Sequence, residues 1–268
     1  MKTVPSYRLE FGFLAAVVLM SVAGFWSLYF GADARPDAHH HFHVLVNFSW
    51  LALLAFQWVL VAKKDFRSHR TLGLAVLLMG PLLFASTALL SVHSAQKGLA
   101  SGRGDFMIVQ NVGVTLELGL LLVLAFALRK RRKLHGALLL GTAMLFLGIA
   151  LFFTLIAFVP AYRIEGPETF HRFAQAGITG QVACLAVGLL FVARDVRNGW
   201  PLLLAALFFP LNEMIRFLLA RQGWIDGLTE GVASMSQPCT FAGSLVAMLA
   251  LLLATGLRPA RAVQPPCP

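Results

Sequence analysis

Charge is what this chain lacks most. Asp, Glu, Lys and Arg make up 13% of its 268 residues, against about 25% in a soluble domain. Acidic residues are the scarcer sign, 12 against 22 Lys plus Arg. So little charge cannot hydrate the surface of a water-soluble globule of this length. Cysteine is scarce as well. Cys184, Cys239 and Cys267 form no C-x-x-C pair and show no metal spacing, which leaves no disulfide framework and no iron–sulfur site to organise the fold. No H-E-x-x-H occurs, so no local motif fixes a metal. The strict alternation of a barrel strand is missing. No linker is long enough for a second folded domain; the connections run roughly 5 to 16 residues, which suits a compact bundle.

What fills the chain instead is apolar: 58% of residues, gathered into eight runs at 11–30, 43–62, 71–93, 107–128, 135–159, 170–193, 200–220 and 238–257. Runs of about 20 residues match the thickness of a bilayer, and lipid admits only helices or closed barrels. The fold class expected is therefore all-α, an integral membrane helical bundle of about eight transmembrane helices. It forms a single domain over residues 1–257, with a disordered cytoplasmic tail at 258–268. If a signal peptidase cut at Ala32-Asp33-Ala34, seven spans would remain. The apolar stretch ahead of that site, 13–30, is about 18 residues, longer than the usual signal core of about 7–15, which favours retention.

The net charge of +10 speaks of orientation rather than of nucleic acid. Lys63, Lys64, Arg67 and Arg70, the run Arg129 to Lys133, and Arg194 and Arg197 alternate with less basic loops. The positive-inside rule then puts both termini in the cytoplasm. The lipid bilayer is the partner this implies.

Polar residues inside the spans are the candidate site. Four histidines (His39, His40, His41 and His43) introduce the second run, and His43, Asn47, Trp50 and Gln57 share one stripe of its helix. His93 and His171 fall at the same outer depth, whereas His69 and His135 fall at the inner face. Gln110, Asn111 and Glu117 lie in the fourth span, with Gln110 and Glu117 on one face. His171, Gln175 and Thr179 step along the sixth, and Glu213 and Arg216 can pair in the seventh. Glu117 and Glu213 are the two carboxylates within the spans, about 15 Å and 20 Å from their helix starts. A charge there costs at least about 2.5–3.5 kcal/mol, which makes both functional candidates. A bland reading stands beside this one: Glu213 and Arg216 as a structural pair, Glu117 protonated against Gln110 or Asn111, and His39 to His41 in a solvated loop.

Gly24-Phe25-Trp26, then His43 with Trp50 and Gln57, then His69-Arg70-x-Leu72-Gly73 resemble an uncharacterised family of bacterial polytopic membrane proteins that read GF…H…W…Q…HRxLG. A later basic stretch with histidine, Arg132-Lys133-Leu134-His135, fits the same pattern. The resemblance covers mainly residues 20–75 and 129–145. It implies the architecture and a bacterial inner membrane, not an activity. The last span holds no lysine of the kind that carries retinal, which argues against a rhodopsin.

Three readings of function stand side by side. The first is electron transfer through haem b, with His43 and His93 or His171 as one axial pair, His69 and His135 as a second, and a redox partner. The second is a transporter or small-molecule sensor whose midplane is Glu117, Glu213, Arg216, Asn111 and Gln57, with Pro81 and Pro210 breaking helices around a site. The third is a zinc-dependent membrane hydrolase. There His43, His93 and His171 would be ligands and Glu117 or Glu213 the general base. Each draws on an outward-facing pocket lined by His43, His93, His171, Glu117, Glu213 and Arg216, and whether the chain is an enzyme stays open.

Overall fold

The computed structural model describes residues 7–102 and 104–257; the expected tail at 258–268 lies outside them. The described residues are predominantly helical, with no strand among them. Ten α-helices follow in order: α1 (Arg8–Gly24), α2 (Ala38–Ala62), α3 (Phe66–Gly73), α4 (Val76–Ala100), α5 (Ile108–Ala127), α6 (Arg132–Phe158), α7 (His171–Arg194), α8 (Trp200–Arg221), α9 (Ile225–Ala233) and α10 (Gln237–Leu257). Seven of them, α2, α4, α5, α6, α7, α8 and α10, are long and apolar enough to cross a membrane. The protein is an all-α helical membrane bundle.

The remaining expected span is α1. At 17 residues it rises about 26 Å, at the short end of the range for a spanning helix. It then widens into a π-helical turn at Trp26–Phe30. The run expected at 71–93 is divided. Asp65 caps α3 by accepting from the Ser68 amide at 3.1 Å, α3 ends at Gly73, and α4 starts at Val76. Pro81 and Pro210 lie inside α4 and α8 without ending them, so the expected breaks are not formed. Helix α9 had no counterpart among the expected segments.

Helix α6 is the axis of the bundle. It is apolar nearly all round, as a helix buried on every side must be, and it packs against α1, α5, α7 and α8. Leu138, Leu140, Ala143, Met144 and Leu145 are fully enclosed. Helix α4 organises the other flank, against α2, α5, α9 and α10. Gly24 of α1 abuts the Ala150 carbonyl of α6, an approach that no side chain could share.

Trp50 belongs to this core. It is wholly buried, and its Nε1 donates to Thr142 Oγ1 of α6 at 2.9 Å. The stripe His43, Asn47, Trp50, Gln57 therefore does not line one pocket, because it runs the full length of α2 and meets three environments. At its far end, with the amide turned to satisfy both neighbours, Gln57 donates to His69 and accepts from the Gly73 amide at 2.9 Å. That contact fastens α3 beneath α2. The same end of the bundle holds the basic residues. Lys133 pairs with Asp195 at 3.0 Å and Arg194 with Glu10 at 2.9 Å. This is the basic end of the bundle, and the opposite one is the histidine end.

Candidate metal centre

The histidine end is built on a helix cap. Asp37 precedes α2 with an extended backbone, and its Oδ1 accepts from the amides of His39 at 3.1 Å and His40 at 3.3 Å. Two otherwise unsatisfied donors of the first turn are met in this way. The His40 ring returns to the same carboxylate, with Nδ1 2.7 Å from Oδ1. The helix therefore starts five residues before the expected apolar run, at Ala38, and draws His39 into its first turn.

Helix α4 arrives antiparallel, with His93 near its C-terminal end. His93 Nε2 is 2.8 Å from Asp37 Oδ2. The His39 and His93 rings stack at 4.4 Å, 15° from parallel. Asp37, His39 and His93 each offer one ligand atom, and these atoms all lie within 4.8 Å of one another. Among the described residues this is the only such group of three or more His, Cys, Asp or Glu.

A relay of amides sets the tautomer of His39. Gln96 Nε2 donates to the carbonyls of Ala233 and Met235, at 3.0 and 3.1 Å, which fixes the orientation of the Gln96 amide. Its oxygen accepts from Gln237 Nε2 at 2.6 Å, so Gln237 turns its own oxygen to His39 Nε2, at 2.7 Å. An amide oxygen only accepts, and Nε2 therefore carries the ring proton. The lone pair is left on Nδ1, which faces Asp37 Oδ1 at 3.6 Å. In the neutral ring two electron pairs meet there.

Asp37 stays ionised. Burial works against its charge, but the His40 amide and the charges of His40 and His93 outweigh it and hold the carboxyl at about 2. The donor set is thus one carboxylate and two imidazoles, hard-to-borderline ligands suited to zinc and its first-row neighbours.

The other candidates fall elsewhere. His43 is one turn deeper on α2, with Nδ1 3.2 Å from Ser86 Oγ of α4. His171 is exposed and turned onto the carbonyl of its own Glu168 at 3.0 Å. Gln175 is exposed. The expected triad His43, His93, His171 is not assembled, because α7 packs on α6 and α8 and equal depth does not give equal facing. His69 and His135 approach closely enough for their charges to interact, and His135 Nδ1 is 2.9 Å from the Ala125 carbonyl. Asn111 Nδ2 reaches Asp105 Oδ2 at 3.4 Å.

Glu213 accepts from Gln110 Nε2 at 2.7 Å and pairs with Arg216 at 2.8 Å. Arg216 is exposed and Glu213 only half-buried. Glu117 is separate from them and buried, with Asn212 as its polar neighbour. The single pocket expected from His43, His93, His171, Glu117, Glu213 and Arg216 is therefore distributed over several places.

Asp37, Gln96 and Gln237 were not among the candidates. The signal for Asp37 was available: an aspartate three residues before a histidine, at the head of an apolar run, is a helix start. Nothing in the sequence marks Gln96 or Gln237. A comparison of the chain with family models, curated proteins and solved structures finds no match.

Proposed function

We propose that this membrane protein binds a divalent first-row transition metal, of which zinc is the type, through Asp37, His39 and His93. The carrying observation is the pair of facing lone pairs, His39 Nδ1 and Asp37 Oδ1 at 3.6 Å, with the histidine tautomer fixed from behind by Gln237. A carboxylate facing the lone pair of a neutral imidazole is unfavourable, whereas a cation between them makes both contacts favourable. Tetrahedral ligands about 2.0–2.1 Å from zinc lie about 3.4 Å from each other. The three ligand atoms lie within 4.8 Å of one another, with His93 Nε2 2.8 Å from Asp37 Oδ2 and His39 Nδ1 3.6 Å from Oδ1. Gln237 is the outer hydrogen-bond partner that metal-bound histidines characteristically have. A fourth position is left for His40, whose ring already touches Asp37, or for water.

On the positive-inside reading this end faces outward across a bacterial cytoplasmic membrane, with both termini inside. Metal would then be met from outside the cell. Part-exposure of all three ligands suits a site that exchanges its ion, as in reception or sensing, better than a sealed structural site. The test is metal analysis of purified protein offered zinc, cobalt, nickel and copper in turn. Stoichiometric metal that is lost in Asp37→Asn and in His93→Ala supports the reading. Metal-free protein under every condition, or unchanged loading in both variants, overturns it.

A further inference from the structure

The deepest polar group in the bundle lies away from the metal centre. Glu117 of α5 is 7% exposed and Asn212 of α8 is 1% exposed. Neither Glu117 Oε2 nor Asn212 Nδ2 has a hydrogen-bond partner. Each lies nine residues inside its helix from the histidine end, about 14 Å at 1.5 Å per residue. One is an acceptor and the other a donor, and they face each other across α5 and α8 near mid-bilayer. An ionised carboxylate in such a place needs a cation, and none is at hand. Arg216 is committed to Glu213. From α4 only His93 and Lys97 carry or can carry charge, near its outer end. Those of α6 (Arg132, Lys133 and His135) sit at the basic end. Helix α10 has no Asp, Glu, Lys, Arg or His, and Asp226 and Glu230 of α9 lie beyond the span.

The polar groups nearby form steps. Gln110, Gly113 and Glu117 occupy successive turns of one face of α5. Gln110 holds Glu213. At Gly113 the missing side chain is replaced by Asn212, whose Oδ1 stands 2.5 Å from where a Cβ would be. Asn212 therefore bridges the gap between the half-exposed Gln110–Glu213 pair and buried Glu117. Along α5, Gln110, Gly113 and Glu117 follow one another at about one helical turn. On the basic side of Glu117 the same face continues with fully buried Leu121.

We propose that Glu117 is a proton-binding site in the membrane, reached from the histidine end alone through Asn212, Gln110 and Glu213. Uptake joins a proton to the Glu117 carboxylate and gives the carboxylic acid. Release returns that proton along water held at Asn212 to Glu213 and the aqueous phase, with no other bond changed. The site is independent of the metal reading and would stand if that reading failed.

Infrared difference spectra of the full-length protein in nanodiscs, wild type against Glu117→Gln, test this. The expected result is a protonated-carboxyl C=O band that Glu117→Gln removes, that shifts on transfer to D2O and that declines as pH rises. In Asn212→Leu the D2O shift slows about tenfold, the effect of losing one hydrogen-bonded step. A band that stays unshifted in D2O marks a sealed structural carboxyl and overturns the proposal, as does the absence of any Glu117 band. Should Glu117→Gln fail to fold, Glu117→Asp serves instead: it must displace the band without abolishing it. An Asn212→Leu variant exchanging as fast as wild type also overturns the proposed route.

Discussion

Asp37 has two roles that one substitution separates. As a cap it holds the His39 and His40 amides; as an anion it faces His39 Nδ1 and His93 Nε2. Asparagine caps a helix about as well as aspartate, so Asp37→Asn keeps the α2 start and removes the charge. The metal-free variant is expected to unfold within about 0.5 kcal/mol of wild type, because the lost charge is half exposed and screened. Metal binding responds differently. Losing an outer hydrogen-bond partner of a ligand costs about 10–100-fold in affinity, and losing an anionic ligand costs at least the upper figure, about 2.7 kcal/mol. Cobalt titration followed by its visible absorption, competed with zinc, measures the affinity. Thermal unfolding with and without zinc reads the same site independently. At about 100 times the Kd, ligand binding stabilises the fold by about 2.7 kcal/mol, which wild type should show and Asp37→Asn should not. The companion Asp37→Ala loses the cap as well and should be less stable by about 1 kcal/mol even without metal. Equal zinc affinity in Asp37→Asn and wild type would refute the reasoning, because it would leave the carboxylate as a cap and nothing more.

Gln237→Ala frees the His39 ring to take either tautomer and should weaken zinc binding about 10–100-fold while leaving metal-free stability near wild type; isothermal titration of the variant checks it. Trp50→Phe removes the indole donor to Thr142 at unchanged burial and should cost about 1 kcal/mol, read from thermal unfolding. Burial, and then the charge of His135, hold His69 below its ordinary value, so the unfolded chain takes up a proton before the folded one does. Stability is full above about pH 6.5 and falls as acid is added until the folded value is passed. His69→Gln should therefore flatten the stability profile below about pH 6.5, and a slope identical to wild type would contradict that.

Span number and helical class were legible because lipid imposes both: long apolar runs must be helices, and seven of the eight met the length of a crossing. The site was legible only in part. His39, His43 and His93 announced a polar end, and depth along each helix follows from counting residues. Facing does not, since it depends on which helices are neighbours. His171 shares a depth with His93 yet sits on α7, among α6 and α8. The candidate metal centre was hidden by a boundary. Histidines read as polar, so the second run was begun at 43, whereas the Asp37 cap starts the helix at Ala38 and carries His39 onto the face opposite His93. Gln57 misled in another way: its polarity serves the turn between α3 and α4 rather than a central pocket.

The contact of Gly24 with Ala150 bears on how the chain is assembled in the membrane. Helix α1 finds its seat on α6, whose contacting Ala150 is made 126 residues after Gly24. At about 5–20 residues per second, that is a delay of roughly 6–25 s. Through that interval α1 is a short hydrophobic segment without its partner, and the insertion machinery or the lipid must hold it. The bundle is closed in the reverse of its reading order, with the earliest helix docked only after the central one has been threaded.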